Sequence, residues 1–257
     1  MNIRTVAVLL AAAAATAMAL NARAEVPANA PGLSKTIFAE IDALARKTRQ
    51  SGTLPRWSDA AHRAVLARFW DEDALLGHVP HNAADVPLLL DIGEDHKALL
   101  TTYLLFTRKA GDLPDMAANG FAFQDELSRT MAFQVAWMGA GVPAIEDFAA
   151  GLPAADLTEI RRQGLREMRL GFVELIASAG FFIRSPQLSD ENREIVAKAL
   201  ARHAETLARS LLPEDRQAAA ANARATLPAL RAGGKADMQT FIAAMSQTRC
   251  DALCAIQ

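Results

Sequence analysis

Apolar residues along this chain recur at intervals of three and four, in blocks separated by proline and glycine, and no stretch shows the alternate-residue pattern of a half-buried strand. The pattern predicts helix after helix. A first helix from about Ser34 to Gln50 aligns Ile37, Ile41 and Leu44 on one face and stops at Ser51-Gly52. Ser58 is the expected cap of a second, whose apolar face includes Val65, Phe69 and Trp70, and a loop with Gly77, Pro80 and Asn82 follows. The third starts near Asp85, with Pro87 in a first turn where its missing N–H costs nothing, and continues through Leu99, Tyr103 and Phe106 to Gly111.

A fourth helix, from roughly Asp115 to Met138, carries the stripe Phe123, Leu127, Met131, Val135 and Met138, widened by Phe133 and Trp137, so burial on most sides is expected. After a short segment at 145–148, the stretch from Pro153 to about Ile183 reads as the longest helix, apolar nearly all round from Leu165 onward, and as the expected centre of the fold. Ser189 signals a helix to Leu212. Helices from Pro213 to Arg231, kinked or ended by Pro228, and from Asp237 to Gln247 complete the chain, with Gly233-Gly234 as the break between them. Leucine-proline pairs at Leu54, Leu113, Leu152, Leu212 and Leu227 are unequally spaced, which fits helix-start punctuation and not a solenoid repeat. The expected fold is all-α: a single irregular multi-helix bundle of about seven to nine helices over residues 33–257, behind a flexible lead at 25–32.

The first 24 residues change this picture. Arg4 is followed by an apolar and small-residue run from Val6 to Leu20 and by Ala22-Arg23-Ala24, the small-x-small pattern that a signal peptidase reads. The run has about 15 residues where roughly 20 are needed to span a bilayer, so residues 1–24 read as a signal peptide cut after Ala24. The longest later stretch without a charged side chain, Thr130 to Ile145, is interrupted by Gln134, Gly139, Gly141 and Pro143, so no integral membrane span is expected in the mature chain. Periplasm or the exterior is the expected address.

Removal of Arg4 and Arg23 takes the 27 basic residues to 25 against 29 acidic ones, a formal charge of −4 that offers nothing to nucleic acid. An oxidising address pairs Cys250 with Cys254, the only cysteines. Four residues apart on an intact helix, their Cβ atoms would be about 5–6 Å apart, so the bridge requires a distorted last turn.

Four of the five histidines, His62, His78, His81 and His96, fall in one region among Asp71, Glu72, Asp73, Asp91, Glu94 and Asp95. His78, His81, Asp91 and His96 are the candidate ligands of a zinc-type metal, although no helical His-Glu-x-x-His motif is present. Gln134 and Glu174, polar among apolar neighbours, are the candidate buried polar network, with Arg129 or Arg184 as partner for Glu174. There is no Gly-x-Ser-x-Gly elbow, and Gly233-Gly234-Lys235 lacks the remainder of a phosphate loop. No catalytic residue is assigned. These features lead first to a non-enzymatic envelope protein that binds a protein partner, of the adaptor, inhibitor or immunity type. The alternatives are a metal-dependent hydrolase built on the His78/His81 region and a carrier of an apolar ligand.

Overall fold

Pro31, with its φ preset for a first helical turn, opens helix α1 (Ala30–Arg49) in the computed structural model, which describes residues 24–109, 112–246 and 252–255. The helix begins ahead of the expected Ser34 because the preceding segment is itself packed. Val26 is buried and its N–H donates to Asp85 Oδ1 at 2.7 Å, so residues 26–30 dock on the body of the protein where a free lead was expected. The expected leader up to Arg23, together with Cys250, lies outside the described residues.

Asp59, and not Ser58, caps α2 (Ala60–Phe69), its carboxylate accepting from the N–H groups of Ala61 and His62. Asp71 does the same for the short α3 (Glu72–Leu76), its side chain accepting from Ala74 N–H, so Asp71-Glu72-Asp73 begins a helix. A 3-10 turn at Ala83–Asp85, closed by a reciprocal box between Asn82 and Asp85, leads into α4 (Val86–Leu104). Seven residues earlier than expected, α4 gives way to a small antiparallel pair, β1 (Arg108–Lys109) and β2 (Leu113–Pro114), the only strands among the described residues. Asn119 holds this turn. Its amide donates to the carbonyls of Leu104 and Thr107, and its side-chain oxygen accepts from Thr107 N–H. Those bonds satisfy the end of α4, a service that no residue near Leu104 could advertise in the local sequence.

The expected fourth helix divides at Phe123 into α5 (Met116–Ala122) and α6 (Gln124–Gly151). At 28 residues, α6 is the longest helix and the centre of the fold, a correction to the expectation that placed α7 (Glu159–Ile183) there. It passes through Pro143, where a break was expected. A proline inside a helix costs about 3 kcal/mol in isolation, but Val142 and Ala144 on either side are wholly buried, and packing on all sides holds the helix together. By contrast α7 exposes Ile160, Leu170 and Phe181, and only one face, through Phe172, Ile176, Ala179 and Ile183, joins the core.

The helix expected from Ser189 to Leu212 divides at His203 into α8 (Asp190–Arg202) and α9 (Ala204–Ser210), both packed on α6. Ser189 caps α8 as expected. Pro228 ends the next helix as expected, leaving α10 (Pro213–Arg224) and a 3-10 turn at Leu227–Ala229. Gly233-Gly234 is not the break. Both lie in the first turn of α11 (Ala232–Met245), and a Cβ on Gly234 would stand 2.9 Å from the Leu230 side chain. A last turn, α12 (Ala252–Ala255), packs on α6 and α9. The fold is all-α, an irregular multi-helix bundle, and no described helix is long and apolar enough to cross a membrane.

Close approach between α4 and α6 sets a test of this packing. Trp137 donates its indole N–H to Leu89 O at 2.6 Å, and a Cβ on Gly93 would lie 2.8 Å from its ring. Gly171 on α7 has no neighbour within 4 Å of the same position. Gly93→Ala should therefore lower unfolding free energy by about 1–3 kcal/mol, while Gly171→Ala should raise it by about 0.5–1 kcal/mol. Urea melts of both variants check the pair.

Candidate functional site

The loop between α1 and α2 ends in Leu54-Pro55-Arg56-Trp57, where Leu54 and Pro55 are buried and the next two side chains turn along the surface of α6. Glu126, in the first turn of α6, is fully buried beneath them. Its Oε1 accepts the Trp57 N–H and lies 3.5 Å from Arg56 Nε. Its Oε2 has no hydrogen-bond partner. Burial pushes the Glu126 carboxyl above the usual range, opposed by the Trp57 N–H and by the Arg56 charge. Tyr103 closes the same interior, donating its hydroxyl to Pro55 O at 2.6 Å and packing edge-on against Phe123.

Above this buried pair, Trp57 is half-buried. Arg129 lies 4.1 Å and Arg63 5.7 Å from its ring centre, Trp70 packs against it at 5.6 Å, and Arg56 covers Phe123 at 5.1 Å. Arg63 also donates to Trp57 O at 3.0 Å. Stacking fixes the guanidinium planes in advance, which reduces the entropy they lose when a further group binds. Next along the chain from the hairpin, Leu113, Met116 and Phe121 are large apolar side chains left more than two-fifths exposed.

The four expected metal ligands do not converge. His78 is exposed beside Asp73, at 4.0 Å. Asp91 is exposed on α4, while His81 is buried with Nε2 2.7 Å from Leu76 O. His96 is stacked between Phe69 and Phe133 at 3.9 and 3.8 Å, with both ring nitrogens against carbonyl oxygens. Its Nε2 is 2.6 Å from Phe69 O, a helix-end carbonyl, whereas Ile92 O already accepts the His96 backbone N–H within α4. The neutral ring therefore carries its proton on Nε2, and neither nitrogen is open to a cation. Among the described residues no group of three or more His, Cys, Asp or Glu side chains is arranged to hold a metal.

The expected polar pair is corrected as well. Glu174 is exposed, because the face of α7 that carries it looks to solvent, and Gln134 is only half-buried. The interior polar links lie nearer the start of α6. Asn192 of α8 donates to Asp125 Oδ1 at 2.6 Å and to Gln124 Oε1 at 3.3 Å, and accepts from Ser128 Oγ at 2.7 Å. Cys254 is buried. The Glu126 cluster escaped sequence reasoning because its members come from positions about 70 residues apart, and the acid sits in a first turn where solvent exposure is the usual expectation. The signal available was the position of Glu126, three residues after Phe123 and beside Leu127, next to the apolar stripe of the helix.

An apolar cleft between α4, α6 and α7, lined by Leu89, Trp137, Met138, Met168 and Phe172, has about 20 Å³ of space. That is room for one water and belongs to packing. Comparison of the chain with protein-family models, with curated proteins and with solved structures gives no match.

Burial lowers the pKa of both His96 and His203 to about 4. A histidine that takes up a proton more readily when unfolded stabilises the fold fully above about pH 6.5 and loses that contribution as pH falls toward 4. For His96 the contribution is about 3 kcal/mol at most. Buried Glu126 works in the opposite sense, since its strain as an anion is relieved as pH falls. Histidine-ring NMR should find His96 and His203 neutral at pH 5.5, and the urea midpoint should drop between pH 7 and 5. Replacing Glu126 by Ala strands Arg56 and should cost on the order of 3 kcal/mol, with Glu126→Gln, which keeps the acceptor for Trp57, costing less.

Proposed function

We propose that this chain is an exported, non-enzymatic protein-binding protein of the cell envelope, of the adaptor, inhibitor or immunity type, docking through the Trp57 face. The observation that carries the reading is Trp57 itself, a half-buried tryptophan with arginines laid against it and exposed Phe121, Met116 and Leu113 on the hairpin–α5 unit. Tryptophan and arginine are the side chains that most often dominate the energy of protein–protein contacts. A rigid ring held from beneath by a buried ion pair meets the further condition that little order remains to be imposed on binding. Export rests on the residues 1–24 pattern, and a Cys250–Cys254 bridge is supported by the burial of Cys254 and by the same address.

A photo-reactive phenylalanine analogue placed at Arg63 or at Phe121, in the cells that make the protein, should yield one discrete cross-linked species from the envelope fraction. The same group at exposed Glu174 on α7 should not. Trp57→Ala and Arg129→Ala should each reduce the adduct at Phe121 by about tenfold, the effect of removing one interface anchor. Equal labelling from Glu174, or adducts indifferent to both substitutions, would refute the assignment of this face.

A further inference from the structure

Three consecutive residues ahead of α2 are each held by a side chain from another part of the fold. Pro55 O accepts the Tyr103 hydroxyl at 2.6 Å, Arg56 N–H donates to His62 Nδ1 at 3.2 Å, and Trp57 N–H donates to Glu126 Oε1. The segment at 54–57 lies outside any helix or strand, so these side chains fix its path.

The bond to His62 differs from the other two in its response to a proton. An amide N–H points at Nδ1, so that nitrogen carries the lone pair and the neutral ring has its proton on Nε2. A further proton enters at Nδ1, where it faces the Arg56 N–H, donor against donor. The neighbouring anchors survive acid, since a tyrosine hydroxyl remains a donor and a protonated carboxyl keeps an acceptor oxygen for Trp57. A second partner for the charged ring stands close by. Asp59 Oδ1, at the cap of α2, lies 3.7 Å from the same Nδ1, and the His62 side chain is 19% exposed, open to protons from solvent. The His62 backbone N–H holds the Asp59 carboxyl below its usual range, so it stays an anion where imidazoles titrate. On the elements packed alongside, Glu126 of α6 is engaged with Arg56 and the Trp57 N–H, and Glu40 of α1 with Arg68 at 2.9 Å. Asp59 is the carboxylate left for His62.

We infer that His62 is an acid-released latch on the Arg56–Trp57 segment. Neutral, it holds the Arg56 N–H. Protonated, it turns Nδ1–H to Asp59 and leaves the segment on its remaining anchors. On the reading of Trp57 as the docking face, acid then weakens docking, because the freed segment has to be ordered again on binding.

Long-range proton–nitrogen spectra of the full chain should place the proton of neutral His62 on Nε2. Followed from about pH 8 to pH 5, the range in which imidazoles titrate, the Arg56 amide should lose about tenfold in protection against hydrogen exchange, the worth of one hydrogen bond. The midpoint of that loss should coincide with the titration of the His62 ring. His62→Asn sets an amide oxygen that does not titrate in place of Nδ1, and its Arg56 amide should keep its protection over the whole range. If that variant fails to fold, the ring and amide of the unaltered protein decide. A neutral His62 protonated on Nδ1, an Arg56 amide indifferent to the titration of His62, or a loss that persists in His62→Asn overturns the latch. All three are read on the protein alone, so a failure of the docking face and a failure of the latch are told apart.

Discussion

Helix α6 is buried around nearly its whole circumference, and that constraint governs the placement of everything else. A helix apolar on every side must be covered on every side. Here α4, α8, α9, α12 and the 3-10 turn at Ala83–Asp85 all supply cover. The run of small residues at Gly139, Ala140, Gly141 and Ala144 lets the covering elements come close. His203 fits against Gly139 with no space for a β-carbon, and the same tolerance allows Pro143 to remain within the helix. The cost of proline is a local loss of one hydrogen bond, whereas unwinding α6 there would uncover Val142, Ala144 and Ile145 together.

Such a centre has difficulty at its ends, where helix N–H and C=O groups must find partners without water. At the N-terminal end of α6 the side chains also make bonds to other segments. Glu126 accepts the Trp57 N–H from another segment, and Gln124, Asp125 and Ser128 bind Asn192 of α8. Each of these bonds ties α6 to an element distant in sequence. Burial penalises the charge on Glu126 at that depth, and the Trp57 N–H, followed by Arg56 reaching inward from a one-third-exposed position, opposes that penalty. The interior thus anchors Trp57 from its backbone, whose N–H is held by Glu126, while its ring packs against Arg129 and Arg63.

Helix content and class were legible in the spacing of apolar residues, and so were local stops such as Pro228 and the Ser189 cap, because each rests on neighbours within four positions. Boundaries set by distant partners were not. The end of α4 depends on Asn119, and the joint at His203 depends on Gly139. Choosing the central helix also failed for a physical reason. Hydrophobic residues at all angles of α7 suggested burial, yet Ile160, Leu170 and Phe181 stay exposed, while α6 gains its burial from glycine and alanine, which score weakly as apolar but permit contact. The metal reading joined histidines by nearness in sequence. His96 instead spends its ring between two phenylalanines, and His81 turns its Nε2 to the carbonyl of Leu76.

The two polar clusters on α6 differ in a way that bears on what each is for. At the Trp57 end, the unsatisfied atoms Glu126 Oε2, Arg56 Nε and Trp70 Nε1 are buried, and the Trp57 indole has the Arg63 and Arg129 guanidinium groups laid against it. The acid is therefore held inside while the stacked groups line the surface, the division on which the proposed docking surface rests. On the other flank of α6, His81 Nδ1 and His203 Nε2 are buried without partners, and each ring is fixed by packing, His81 with its Nε2 against Leu76 O and His203 against Gly139. The charged groups nearby are Arg202 and Glu72, a part-exposed pair of the kind that contributes little on its own. Stacked aromatic and guanidinium groups thus mark one flank, and buried imidazoles beside a surface ion pair mark the other.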